Sequence, residues 1–127
     1  MSHRILIVDD SAAIRHSIRN CIEHNTEWEV CGEAENGSLA IDKVRQLSPD
    51  VVILDWQMPV MNGLEAAREI TRIAPSATML MITLHDSGQL AQQAHAAGVK
   101  EVLSKTDNIS EHLITSLRSV WTGALSN

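Results

Sequence analysis

A chain of 127 residues, 44% of them apolar, is the size of one ordinary domain with enough hydrophobic material to bury a core. Its formal charge of −6 argues against sequence-independent binding to nucleic acid, which needs a basic surface. No stretch approaches the roughly 18 consecutive apolar residues of a membrane span, and the first residues lack the long apolar run of a signal peptide.

The expectation is therefore one cytoplasmic domain over residues 1–127, with Cys21 and Cys31 reduced and not spaced for a zinc site. The six histidines are scattered singly, and there is no Tyr or Phe.

In chain order, Ile5-Leu6-Ile7-Val8 is a short apolar run that stops at Asp9-Asp10. A helical stripe follows an Asp/Ser start signal, with Ile14, Ile18, Cys21 and Ile22 on one face. From Trp28 to Ala34 apolar and polar residues alternate, so Trp28, Val30, Gly32 and Ala34 should share the drier face of an edge strand. Ala40, Val44 and Leu47 form a second stripe after Asn36-Gly37-Ser38. Val51-Val52-Ile53-Leu54 repeats the first run and stops at Asp55; Ala66, Ile70 and Ile73 continue as a helix after Asn62-Gly63. Met79-Leu80-Met81-Ile82 stops at Thr83, and the stripe Leu90, Ala94, Ala97 leads to Gly98, a natural helix end. Val102-Leu103 is a weaker strand followed by Ser104 and Lys105, and Ile109, Leu113, Leu117, Val120 and Trp121 make the last helix.

Five β-α units in succession predict a parallel sheet with helices on both faces. Right-handed crossovers leave the flavodoxin-like (βα)5 three-layer sandwich, strand order 2-1-3-4-5, as the leading topology. In such a sheet ligands bind beyond the carboxyl ends of the strands, where the order reverses, here between the first and third strands. Asp9, Asp10, Asp55, Thr83 and Lys105 all terminate strands on that rim.

Three carboxylates gathered there repel. At an effective dielectric of about 20, a pair about 4 Å apart costs roughly 4 kcal/mol. A hard divalent cation with oxygen ligands, such as Mg²⁺, is the simplest relief, and Lys105 supplies a second positive charge. The set suits phosphoryl transfer, with Asp55 as carboxylate nucleophile, Asp9 and Asp10 as the metal arm, and Thr83 and Lys105 as binders of phosphoryl oxygens. Asp10 also suits the cap of the helix that follows it. Any one of these residues alone is commonplace at a strand end; the weight lies in the joint pattern.

Two other classes compete. A flavodoxin-like electron carrier wants a hydroxyl- and glycine-rich phosphate loop and flavin-stacking rings, whereas this first loop opens with two Asp and aromatics total 2%. A haloacid-dehalogenase-like phosphatase wants a second acid two residues after its nucleophile, and Gln57 stands there.

At this point the chain resembles the receiver domains of two-component response regulators over nearly its whole length. The matching pieces are Ile7-Val8-Asp9-Asp10, Asp55-Trp56-Gln57-Met58-Pro59-Val60-Met61-Asn62-Gly63, Ile82-Thr83, and Ala97-Gly98 leading to Lys105. Leu84-His85-Asp86 and Lys105-Thr106-Asp107 look similar to the receivers of LuxR-type transcription factors. The resemblance implies a phosphoacceptor at Asp55, with a sensor histidine kinase or phosphotransfer protein as donor. It also implies Mg²⁺ held by Asp10, Asp55 and the backbone carbonyl of Gln57, with Asp9 acting through water. Thr83 and Lys105 would bind phosphoryl oxygens, and the face of the fourth helix, fifth strand and fifth helix would carry the output, for instance as a homodimer. No enzymatic turnover is implied beyond the domain's own phosphorylation and dephosphorylation.

The sequence departs from that family in three places. Val102 stands where an aromatic switch residue is usual, Thr106 where a proline often follows the Lys, and bulky Leu84 where a small residue commonly follows the Thr. Gln57 and His85 are expected to tune phosphoryl loss, and Trp121 is a candidate partner contact. The chain reads either as a stand-alone receiver or as the front of a longer regulator.

Overall fold

A computed structural model describes residues 3–84, 87–105 and 109–123, with side chains through residue 120. Five strands, β1 (Arg4–Val8), β2 (Glu29–Ala34), β3 (Val51–Asp55), β4 (Thr78–Thr83) and β5 (Val99–Ser104), alternate with five helices. The helices are α1 (Ala12–Asn25), α2 (Gly37–Leu47), α3 (Gly63–Ile73), α4 (Gly88–Ala96) and α5 (Ile109–Gly123). All strand pairings are parallel, and the order is β2-β1-β3-β4-β5, as expected for a flavodoxin-like sandwich.

The apolar runs fill both faces of the sheet because side chains alternate along a strand. Ile5, Ile7, Val51, Ile53, Leu80 and Ile82 pack toward α1 and α5, against Ile18, Ile22, Leu113 and Leu117. Leu6, Val8, Val52, Leu54, Met79 and Met81 pack toward the other three helices. Each turn into the first four helices ends in a short polar cap: the backbone N–H groups of Ile14, Leu39, Glu65 and Leu90 donate to the side chains of Ser11, Asn36, Asn62 and Ser87. The cap of α1 is thus Ser11 and not Asp10, which leaves Asp10 to the rim. At α3 the cap is reciprocal, since Glu65 Oε1 accepts from Asn62 N–H at 3.2 Å.

Two edge strands depart from the alternation read in sequence. In β2, Ile5 pairs with Val30 but Leu6 pairs with Gly32, so Cys31 is an extra residue in the ladder. The bulge reverses the facing of everything after it. Val30 packs on the α1 side while Ala34 packs on the opposite side, and Trp28 precedes the strand. The shared face predicted for Trp28, Val30, Gly32 and Ala34 therefore does not exist, although the edge position does. A second register shift in β5 lies between Val99 and Glu101, and the strand extends three residues further toward its start than the weak Val102-Leu103 signal.

Cys21 and Cys31 are free thiols. Among the described residues, no helix is long and apolar enough to cross a membrane. His85, Thr106 and the side chain of Trp121 lie outside the described residues.

Candidate phosphoryl-acceptor and metal site

The carboxyl ends of β1 and β3 are neighbours in the sheet, with Val8 paired to Leu54. The next residue of each strand therefore brings Asp9 and Asp55 to the same rim, with Asp10 one step beyond. One carboxylate oxygen from each of Asp9, Asp10 and Asp55 lies within 4.8 Å of the others. Asp9 and Asp55 are buried and Asp10 is exposed, so the cluster has a closed floor and an open side.

Lys105, just past β5, reaches across to both buried acids. Its Nζ lies 2.8 Å from Asp9 Oδ2 and 3.1 Å from Asp55 Oδ1. Its backbone is pinned by the Lys105 N–H donating to Thr83 O at 2.7 Å, which ties the β5 exit to the β4 end. Thr83 is buried beside them.

One ammonium does not neutralise three carboxylates. Burial, and next the neighbouring Asp9 charge, push the Asp55 carboxyl up to about 6; Lys105 pulls it back and Asp10 adds a smaller push. For Lys105, burial works against the charged form, but the hydrogen bonds and charges of Asp9 and Asp55 outweigh it, and its pKa stands above the usual lysine value. Asp9 Oδ1 accepts the Ser11 backbone N–H at 2.9 Å, whereas Oδ2 is fully buried and faces the Lys105 ammonium at 2.8 Å. Three carboxylates gathered around one shared ammonium are a donor set suited to a hard cation with oxygen ligands.

A cleft of about 570 Å³ opens above the cluster, bordered by Asp10, Asp55, Gln57, Thr83 and Lys105, with an apolar wall that includes Ile14 and Ile109. A second opening on the other side of Gln57 is lined by Asp10, Trp56, Met58 and Asn62. Leu84 is 69% exposed and borders the entrance. Val102 is half-buried against the core on the α2, α3 and α4 side, an aliphatic side chain in place of a ring.

The loop after Asp55 is held close to the site by its own backbone. Trp56 N–H donates to Ile82 O at 3.1 Å, and Gly63 N–H donates to Trp56 O at 2.7 Å. A Cβ on Gly63 would collide with Asp55 O and lie 2.9 Å from Trp56 Cα, so only glycine permits this return. Gly98, between α4 and β5, is required for a different reason: its φ is +98°, and a Cβ there would run into Thr71.

All six residues expected at the site, Asp9, Asp10, Asp55, Gln57, Thr83 and Lys105, border this one cleft. The sequence marks Ser11 as part of a helix start but not its second task, the backbone N–H that fixes the Asp9 carboxylate, and it gives no sign of Arg15, whose Nη1 donates to the Asp9 carbonyl at 2.6 Å. Ser11 was legible as a helix start; the Arg15 bond depends on helix orientation, which has no local signature.

Comparison with known proteins agrees with this geometry. Residues 5–118 match the response regulator receiver domain family. Chemotaxis protein CheY of Bacillus subtilis is 40% identical over 105 residues, covering 83% of this chain and 87% of that protein. CheY of Thermotoga maritima is 38% identical over the same shares. Among solved structures, a LuxR-family two-component response regulator from Aurantimonas sp. superposes with a TM-score of 0.90 at 28% identity, covering 97% of this chain and 87% of that one. Both the CheY-like and the LuxR-type likeness are thus present. With the matching fold, the order of its motifs and the rim of acids, the chain belongs to the response regulator receiver domain family of two-component signalling, whose standard role is to accept a phosphoryl group.

Proposed function

We propose that Asp55 is the phosphoacceptor, and that Asp10, Asp55 and the backbone carbonyl of Gln57 hold Mg²⁺ while Asp9 contributes through water. The observation that carries this reading is the shared ammonium: Lys105 Nζ stands within 3.1 Å of both buried acids, and Asp10 completes a cluster spanning 4.8 Å. The cation, when bound, neutralises carboxylate repulsion and the charge on the equatorial phosphoryl oxygens. The chain's residues do the rest. An Asp55 carboxylate oxygen attacks phosphorus, the P–N bond of a phosphohistidine donor breaks, and the departing imidazole nitrogen takes a proton. Lys105 and Thr83 bind phosphoryl oxygens at the rim, so Lys105 exchanges its contact with Asp55 for one with the new group.

The donor is a sensor histidine kinase or a phosphotransfer protein, which places the chain in the cytoplasm. Output runs through the α4, β5 and α5 face to a protein partner or a second copy of the chain, and to transcription where a DNA-binding part follows. The acidic balance of −6 speaks against direct nucleic-acid contact by this domain. Gln57, exposed between the two openings, sets the lifetime of the acyl phosphate by flanking the approach of water. Gln57→Ala should change the rate of phosphoryl loss; an unaltered lifetime removes that role.

The test is incubation with a small acyl phosphate and Mg²⁺ followed by intact mass measurement. A gain of one phosphoryl in the wild type and none in Asp55→Asn supports the assignment. Equal labelling of both overturns it.

A further inference from the structure

The bond from Arg15 to the Asp9 carbonyl belongs to a larger arrangement. Glu33, on the edge strand β2, accepts Arg15 Nε on one carboxylate oxygen at 2.9 Å and Arg19 Nε on the other at 2.7 Å. Both arginines lie on α1 one turn apart, so a single carboxylate locks their orientation. Glu33 points to this helix only because the Cys31 bulge reverses the facing of the strand. Burial pushes the Glu33 carboxyl up, but the hydrogen bonds and charges of Arg19 and Arg15 outweigh it and leave its pKa below the usual carboxylate value.

With Nε committed to Glu33, the Arg15 fork directs Nη1 at the carbonyl of Asp9. That carbonyl belongs to the peptide joining Asp9 to Asp10, so its orientation sets where the Asp10 side chain starts. The same residue is held at its N–H by Ala34 O at 3.0 Å and at its carboxylate by the Ser11 N–H. Two cations hold Asp9, Lys105 at the carboxylate and Arg15 at the carbonyl; of these Arg15 bears on the peptide to Asp10, and its side chain is only 17% exposed.

We propose that Glu33 and Arg15 are positioning residues for cation binding: the Glu33–Arg15 pair fixes the Asp9–Asp10 peptide so that the Asp10 carboxylate faces Asp55. This inference rests on the assignment of Asp10 and Asp55 as cation ligands. Partners that orient ligands typically change metal affinity by about 10–100-fold when removed. A peptide held through one hydrogen bond should sit at the low end of that range.

The experiment is titration of the full chain with Mg²⁺, followed by Trp56 fluorescence and by calorimetry, in wild type, Arg15→Ala, Glu33→Gln and Arg19→Ala. Arg15→Ala should weaken Mg²⁺ binding by about tenfold. Glu33→Gln should fall between it and the wild type. Arg19→Ala removes a Glu33 contact without touching Asp9 and should bind Mg²⁺ as the wild type does. Labelling of Arg15→Ala by acyl phosphate should be slow at low Mg²⁺ and return to the wild-type rate at saturating Mg²⁺, a split that a general loss of folding would not give. If Arg15→Ala does not fold, Arg15→Lys, which cannot make both bonds at once, takes its place with the same expected direction. Equal Mg²⁺ affinity in the wild type and the Arg15 variant overturns the proposal, as does equal weakening in Arg19→Ala. If the wild type itself binds no Mg²⁺, the ligand assignment fails instead, and the two failures are distinct.

Discussion

Asp50 and Asp55 stand at opposite ends of the same strand region, five positions apart, and their surroundings differ in nearly every respect. Asp50 is exposed; its carboxylate accepts the Arg4 backbone N–H at 2.8 Å, and its own N–H donates to Arg4 O at 2.9 Å. The Arg4 side chain in turn donates to the carbonyls of Leu47 and Ser48 and faces Glu29 at 3.6 Å. The charged groups at that rim are exposed to solvent or hydrogen-bonded to nearby backbone, and they close the ends of the strands. At the other rim Asp55 and Asp9 are buried, share one ammonium, and face a third acid across an open cleft. Residue type does not separate structure from chemistry here. Burial without enough counter-charge does.

The largest test of this contrast is chemical. Asp50→Asn should take up one phosphoryl from an acyl phosphate as the wild type does, while Asp55→Asn takes up none; loss of labelling in both would erase the distinction between the two rims.

Next is the cost of losing a cation at each end. Lys105→Met strands the buried Asp9 and should destabilise the metal-free protein by about 3 kcal/mol. Arg4→Met removes partly exposed contacts and should cost about 1 kcal/mol. Urea unfolding of both variants measures the difference, and equal losses would mean that the Lys105 site is as well solvated as the Arg4 one.

The pH dependence should also mark the Asp55 rim. The folded-state pKa of Asp55 is raised from 3.8 to about 6, so the folded protein binds this proton more tightly than the unfolded chain. Stability from this group is therefore present at low pH and is lost as pH rises between those two values, by about 3 kcal/mol at most. In the absence of divalent cations, Tm should rise as pH falls from neutrality toward 5. Asp55→Asn should flatten that slope and be the more stable protein at neutral pH.

The smallest expected effect concerns the loop between the site and α3. Val60, 81% exposed, has φ +71°, and Met61 N–H donates across it to Pro59 O at 2.7 Å, a tight turn that a β-branched residue resists. Val60→Asn should stabilise the protein by about 1 kcal/mol, with phosphoryl uptake unchanged, as measured by urea unfolding and intact mass.

Much of this was legible in sequence because the informative residues act locally. Continuous apolar runs identify strands buried on both faces, and the polar residue that ends each run sits at the rim by chain geometry alone. Asp9, Asp55, Thr83 and Lys105 were legible for that reason. Ser11, Asn36 and Asn62 likewise announce helix starts. What escaped depends on register between distant segments. The extra residue at Cys31 shows only in the pairing of β2 with β1, and it decides that Glu33 faces α1. The start of β5 at Val99 carries no apolar run, since Lys100 and Glu101 interrupt it. The strained backbone at Val60 escaped because sequence favours Gly or Asn at such a φ, and a valine gives no sign of it.

The central claim is that the acids of β1 and β3 form one cation site, and calorimetric titration of the metal-free protein with Mg²⁺ at neutral pH tests it most directly. A single site in the wild type, lost or strongly weakened in both Asp10→Asn and Asp55→Asn and retained in Asp50→Asn, is the expected result. Binding that survives the Asp10 and Asp55 substitutions, or no binding by the wild type, would contradict it.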